Sequence, residues 1–374
     1  MEFCPSPGFT VGLELEFQLL DPASWDLVDG ILPLLDTYPA QQAVKPEFIQ
    51  NTVELVSPPA AGLGELEASL RPLLRELLAH CDRLGMGLCG AGTHPFYRRS
   101  ALVTPGRRYA AMEQASGWLG HNQVTFATHV HLGLPDGEEA VTLMRELKPF
   151  LPLLIALSAS SPFWHGADTR FAAFRQRVLA SARTYGTPPD FACWAEFERF
   201  FATMRRAGLL QALNDIHWDL RPRPDFGTLE VRVMDAQPTL ARALDLVALV
   251  RALCRFLQHG RHDRALVPPL IPLPWWSQKD NGYAACRDGL EAQLITSADG
   301  DLQPLRAVAQ RTFRLIEPFA APDELPRLRR LAAALEADLP YRRQRQLHGA
   351  SGSLPAVVRA LAQELRADVE AGSA

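Results

Sequence analysis

Cysteine is sparse and unpaired in this 374-residue chain. The six present (Cys4, Cys81, Cys89, Cys193, Cys254, Cys286) are scattered, with no C-x-x-C spacing. That excludes a compact disulfide scaffold or a sequence-local zinc knuckle and reads as reduced thiols of a cytoplasmic protein. The opening MEFCPSPGFT has neither a basic nor an apolar leader segment, so no signal peptide is expected. The longest uncharged run, 149–164, is too short and too rich in Pro and Ser to cross a bilayer. An excess of one charge is also missing: 38 Lys and Arg stand against 42 Asp and Glu, for a net charge of −4. A nucleic-acid or membrane partner therefore has no electrostatic support, and small molecules are the expected partners. Neither G-x-x-x-x-G-K-[ST] nor a G-x-G-x-x-G strand turn occurs, which argues against P-loop and dinucleotide-binding sites.

What the chain does have is alternation. Strands are expected at 9–20, 50–57, 86–92, 123–134 and 227–235. Helical stripes of leucine and aromatics predict helices over 63–84, 138–158, 194–207, 239–258, 323–338 and 353–367, with Pro72 and Pro149 expected to end or kink theirs. The one-sided alternation favours antiparallel pairing. The proline-rich segment 266–276, LVPPLIPLPWW, marks a boundary. The organisation expected is one catalytic domain over 1–374, with a sheet-bearing core over about 8–260 and a mainly helical portion, 261–374, packed on it.

Four of the strands share an unusual property. In VGLELEF, Leu13, Leu15 and Phe17 point one way while Glu14 and Glu16 point the other. In TLEVRVM, Leu229, Val231 and Val233 oppose Glu230 and Arg232; in ATHVHLG, His129 and His131 share the face opposite Val130 and Leu132. In QNTVELV, Glu54 lies opposite Val53 and Leu55. Like charges side by side on a strand repel, and several acids on one face need water or cations to compensate them. Oxygen ligands in this number suit magnesium or manganese, and the histidines suit manganese or zinc. Magnesium held by carboxylates commonly carries nucleotide phosphates, and phosphoryl transfer then needs positioned cations such as Arg170, Arg175, Arg221, Arg223 or Arg232. Two other readings stay open: a zinc hydrolase built on His129 and His131, and a non-catalytic nucleotide-binding protein.

Long motifs then carry a resemblance. VGLELEF, PEFIQNTVELVSPP, AGTHPF, ATHVHLGLPD, LSASSPFWHGADTRFAAFR and WDLRPRPDFGTLEVRVMDAQP occur in order over most of the chain. So read, the chain resembles the type 2 glutamate–cysteine ligases, or carboxylate–amine ligases, of the glutamine synthetase-like superfamily. The resemblance implies an α+β fold in which a curved antiparallel sheet forms a funnel flanked by helices, holding ATP and Mg2+, with Mn2+ as the alternative. It implies metal ligands at Glu14, Glu16, Glu47, Glu54, His129 and Glu230, and nucleotide or phosphate contacts from Arg175, Arg221, Arg232 and His131. Arg232 and Glu54 carry the expected catalytic roles. The implied reaction joins glutamate to an amine such as cysteine through an acyl phosphate, in glutathione biosynthesis; a homo-oligomer is left open. Glu47 and Glu54 are seven apart and cannot share a face of one regular strand, so a bend or bulge after Lys45-Pro46 is expected.

Overall fold

The computed structural model describes residues 1–6, 8–39, 42–337 and 339–371. Its centre is a seven-stranded, open, wholly antiparallel sheet. The strands are β1 (Val11–Leu20), β2 (Val44–Pro46), β3 (Thr52–Val56), β4 (Gly87–Cys89), β5 (Ala127–Gly133), β8 (Leu220–Arg223) and β9 (Thr228–Asp235). A small separate hairpin, β6 (Phe163–Trp164) with β7 (Ala167–Asp168), lies between them in the chain. Across the sheet the order is β2-β3-β1-β5-β9-β8, and β4 pairs with the end of β1. The expected strand 86–92 shrinks to Gly87–Cys89, because a carbon on Gly90 would sit 1.9 Å from the Gln237 carbonyl oxygen and the chain there serves close backbone packing instead.

The apolar face made by alternation is the core. Leu13, Leu15, Phe17, Val53, Leu55, Val130, Leu132, Leu229 and Val231 are all buried. Helix Leu240–Gly260 packs on it, N-capped by Thr239, whose hydroxyl accepts from the Arg242 N–H at 3.1 Å. This helix is buried almost all round, because helices Leu63–Arg83 and Leu325–Ala333 cover its other sides. Pro149 interrupts its helix as expected: Gly137–Leu147 passes through a turn at Lys148–Phe150 into Leu151–Ser158. Pro72 does not end its helix, which runs on through it from Leu63 to Arg83. The cost of an interior proline, about 3 kcal/mol, is outweighed by the buried stripe Leu66, Leu70, Leu74, Leu77 and Leu78 that only a continuous helix delivers.

Beyond 266 the chain is mainly helical, with one hairpin at Gln293–Ile295 and Leu302–Pro304. Helix Leu354–Ala371 returns to pack on β4 and helix Leu63–Arg83. No helix among the described residues is long and apolar enough to cross a membrane.

If the Leu-bearing face of β1 is the core, Leu15→Ala should cost about 2–5 kcal/mol in urea unfolding. A loss below about 1 kcal/mol would show that the face is not packed as described.

Candidate active site

The pairing register assembles the site. Residues directly opposite each other in an antiparallel pair share a face. Glu16 lies opposite Glu54 and Glu14 opposite His129; Glu230 lies between His131 on one side and Arg221 on the other. Lys45 stands opposite Glu54. Acids, histidines and cations from β2, β3, β1, β5, β9 and β8 thus converge on the face opposite the core. Glu47 arrives differently from the expected bend within one strand. Lys45 and Glu54 belong to two strands of a hairpin, β2 and β3, and Glu47 begins the connection between them. The carboxylate accepts from the Phe48 N–H at 3.1 Å. It lies outside the two ligand groups described below, and it bears on Glu16 and Glu54 through its charge.

A β-bulge shapes the middle of the floor. Thr128 pairs with Met234 but Val130 pairs with Val231, so two residues, Arg232 and Val233, face the single His129. Strict alternation predicts Val233 in line with Leu229 and Val231; the bulge changes the phase, and Met234 becomes the partner of Thr128. Arg175 supports the irregular backbone. Its guanidinium donates to the carbonyls of Arg232 and Val233, each at 3.5 Å, and it lies 3.9 Å from Asp235. Gln176 also donates to the Val233 carbonyl.

Glu230 is fully buried and surrounded by guanidinium groups. Arg221 donates to its two oxygens at 2.8 and 3.0 Å, Arg223 approaches at 3.5 Å, and Arg232 donates to Oε1. Burial opposes its charge, yet Arg232 and Arg221 hold its carboxyl well below the usual range. Glu14 behaves alike for another reason: burial opposes ionisation, but hydrogen bonds from His129 and His131 outweigh it and keep the group low. Glu16 goes the other way. Burial and the nearby Glu47 push it up to about 8, against Arg175, Arg232 and a 2.6 Å hydrogen bond from the Ala127 N–H. Glu54 is raised well above its ordinary value by burial and then by Glu14, Glu47 and Glu16.

The donor set fits a divalent cation. Burial and Arg232 push His129 down to about 4, so the ring is neutral and carries one N–H. Nδ1 lies 3.1 Å from Glu14 Oε2 and donates its N–H to that oxygen, which leaves a lone pair on Nε2. Nε2 is buried with no hydrogen-bond partner and lies 3.9 Å from Glu16 Oε1. Glu16, Glu54 and His129 offer ligand atoms within 4.8 Å of one another, and so do Glu14, His129 and Glu230. An unpartnered imidazole nitrogen facing two carboxylates that resist ionisation together is the arrangement a cation satisfies. His131 is otherwise engaged: Nε2 meets Glu14 at 3.2 Å and Nδ1 meets the Thr228 hydroxyl at 3.1 Å. The two histidines therefore do not offer a free pair of nitrogens of the kind a zinc hydrolase site requires.

Arg170, one of the cations considered from sequence, is exposed and sits on the β6–β7 side of the fold. Asp219, which sequence reasoning passed over, lies at the edge of this region, where the charges of Arg175, Arg177 and Arg232 act on its carboxyl. Its main-chain oxygen accepts from the Arg232 N–H at 2.8 Å, one step beyond the β8–β9 ladder. The signal was present in WDLRPRP, where Asp219, Arg221 and Arg223 alternate.

The raised acid gives a pH dependence with a definite sign. A carboxyl raised in the folded state keeps its proton longer there, so its contribution is whole below the ordinary value of 4.5 and is lost as pH rises through about 8. In chelator, melting temperature should fall between about pH 5 and pH 8.5, and Glu16→Gln should flatten that slope. An unchanged slope in the variant would remove Glu16 as its source.

Comparison with known proteins identifies the family and the fold. The profile of the glutamate–cysteine ligase family 2 (GCS2) matches residues 10–350. The chain is 44% identical over 372 residues to a Trichormus variabilis protein named "Putative glutamate--cysteine ligase 2", covering 99% of this chain and 96% of that one. Among solved structures, a glutamate–cysteine ligase from Francisella tularensis in complex with AMP superposes with a TM-score of 0.67 at 14% identity, over 99% of this chain and 92% of that one. A bifunctional glutathione synthetase from Pasteurella multocida gives a TM-score of 0.62 at 13% identity, over 97% of this chain and 52% of that one. At those identities the structures speak for the fold, and the α+β architecture expected from sequence is theirs. The extent of the profile match and the 44% identity place the chain in the glutamate–cysteine ligase family 2.

Proposed function

We propose that the protein is an ATP-dependent carboxylate–amine ligase that activates glutamate as an acyl phosphate and joins it to an amine, with cysteine the first acceptor to test. The observation that carries this reading is the pair of ligand groups sharing His129 beside the guanidinium cluster on Glu230. Glu14, Glu16, Glu47, Glu54, His129 and Glu230 would hold Mg2+ or Mn2+. Such an ion supplies charge neutralisation between the carboxylate floor and phosphate oxygens. The AMP bound to the Francisella relative supports a nucleotide in this fold.

The chain's own residues supply the rest. Arg221 and Arg232, oriented by Glu230, present fixed positive charge where negative charge gathers on the transferring phosphoryl group. His131, held between Glu14 and Thr228, lines the same floor as a nucleotide contact. A carboxylate oxygen of glutamate attacks the terminal phosphorus and ADP leaves. The amine nitrogen then attacks the acyl carbon, the C–O bond to phosphate breaks, and the amine gives up a proton. Burial of the floor strengthens each of these interactions relative to water.

Product analysis tests the reaction. ADP and phosphate should appear in step with amide, and oxygen-18 in the glutamate carboxylate should pass into phosphate. AMP and pyrophosphate would replace the acyl phosphate with an adenylate, and no nucleotide turnover with any amino-acid pair would leave a non-catalytic binder. Glu54→Gln should lower kcat about a hundredfold or more, the scale of one electrostatic stabiliser, and weaken Mg2+ binding. Full activity in that variant would take Glu54 out of the machinery.

A further inference from the structure

A cavity of about 470 Å3 is walled by helices Leu151–Ser158 and Trp275–Asp288, by the segment 185–187 and by Asp219, the residue before β8. Its size is that of a small-molecule site. Five charged side chains line it: Lys148, held by Asp190, the exposed Lys279 and Asp280, and the opposite charges Asp219 and Arg177, which have no ion-pair partner among the described residues. The Asp219 carboxylate has no hydrogen-bond or ion-pair partner among the described residues, and its Oδ1 is buried. The guanidinium of Arg177 lies 5.5 Å over the Tyr283 ring, and its Nε is likewise buried without a hydrogen bond. The charge of Arg177 reaches Asp219, yet no ion pair joins them. Leaving a buried carboxylate unpaired is costly. With Arg177 lining the same cavity and unpaired with it, there is room for a molecule that carries both complementary charges. Leu151, Ile155 and Leu270 add aliphatic surface to the lining.

Two hydrogen bonds tie the cavity lining to the main chain of β9. Asp219 is bonded through its main chain to Arg232, and Gln176, which lines the cavity, donates to the Val233 carbonyl inside the bulge. The charges of Arg175 and Arg232 both reach the Asp219 carboxylate, and Arg177 lies two residues further along the chain from Arg175.

We propose that this cavity receives the amine acceptor as a zwitterionic α-amino acid, with its ammonium on Asp219 and its carboxylate on Arg177. The assignment rests on the ligase reading for the word acceptor, but not for the binding itself. The ammonium must lose a proton before its nitrogen can attack the acyl carbon, and the Asp219 carboxylate takes it. Burial pushes this group up to about 7, against Arg175, Arg177 and Arg232, which suits that task near neutral pH. As the C–N bond forms, phosphate leaves with the electron pair of the C–O bond.

The test is calorimetry on the full chain with Mg2+, a non-hydrolysable ATP analogue and L-glutamate, titrating L-cysteine, L-2-aminobutyrate or cysteamine. The wild type should bind the two amino acids, and Asp219→Asn should weaken both at least tenfold. Arg177→Met should weaken the amino acids tenfold but leave cysteamine, which lacks the carboxylate, within twofold of its wild-type affinity. In steady-state ADP release, both variants should raise the acceptor KM and leave the KM values for ATP and glutamate within twofold. The proposal is overturned if the wild type binds neither amino acid, if both variants bind them as the wild type does, or if Arg177→Met weakens cysteamine equally. Binding that is lost in the variants without ADP release in any protein would instead sink the ligase reading and leave the cavity assignment standing.

Discussion

The Glu230 carboxylate and the arginines around it are the interaction on which the functional face depends. A carboxylate with no exposure would lose several kcal/mol on leaving water if left alone. Here Arg221 binds it through two nitrogens and Arg232 through a third, with Arg223 close behind. Because Arg221 and Arg223 come from β8 and Glu230 from β9, the charge cluster also fixes how those strands meet. Burying this much charge is poor economy for stability alone. Replacing such clusters with apolar groups is often neutral or stabilising, so its persistence fits a site that must present positive charge at a fixed place.

Around that anchor the acids divide into two kinds. Glu14 and Glu230 are surrounded by donors and stay ionised, whereas Glu16 and Glu54 face one another and Glu47 and are held toward the protonated form. His129 stands between the two sets because the bulge in β9 sets two residues against it. One of its nitrogens serves Glu14 and the other faces Glu16. The floor is thus polarised along its own length: a cation-rich side at β8–β9 and a cation-poor side at β1–β3. A ligand carrying both phosphate charge and divalent ions matches that gradient better than either alone.

The helices after 266 do more than cover the sheet. Helix Trp275–Asp288 provides one wall of the cavity that Asp219 and Arg177 also line, so the C-terminal portion helps to enclose that space. The cavity and the floor are joined by the bulge, whose carbonyls are held by Arg175 and Gln176. Distortion of the bulge would disturb both at once.

Sequence alone determined the two faces of the sheet. Period-two alternation in VGLELEF, TVELV, ATHVHLG and TLEVRV assigned Leu, Val and Phe to the core and Glu14, Glu16, Glu54, His129, His131, Glu230 and Arg232 to the opposite side, because side-chain direction in a strand is a local property. Long motifs identified the family for the same reason: they are contiguous. Tertiary structure decided what depends on register and on distant partners. Nothing local says that β1 pairs with both β3 and β5, that a hairpin brings Glu47 near Glu54, or that a bulge gives His129 two neighbours. The divergent ionisation of chemically identical glutamates also came only from the fold, since desolvation and charge act through space across strands far apart in the chain. Asp219 shows the limit most plainly. Its place in the alternation was legible, but its lack of a partner could be seen only once the walls of the cavity were in place.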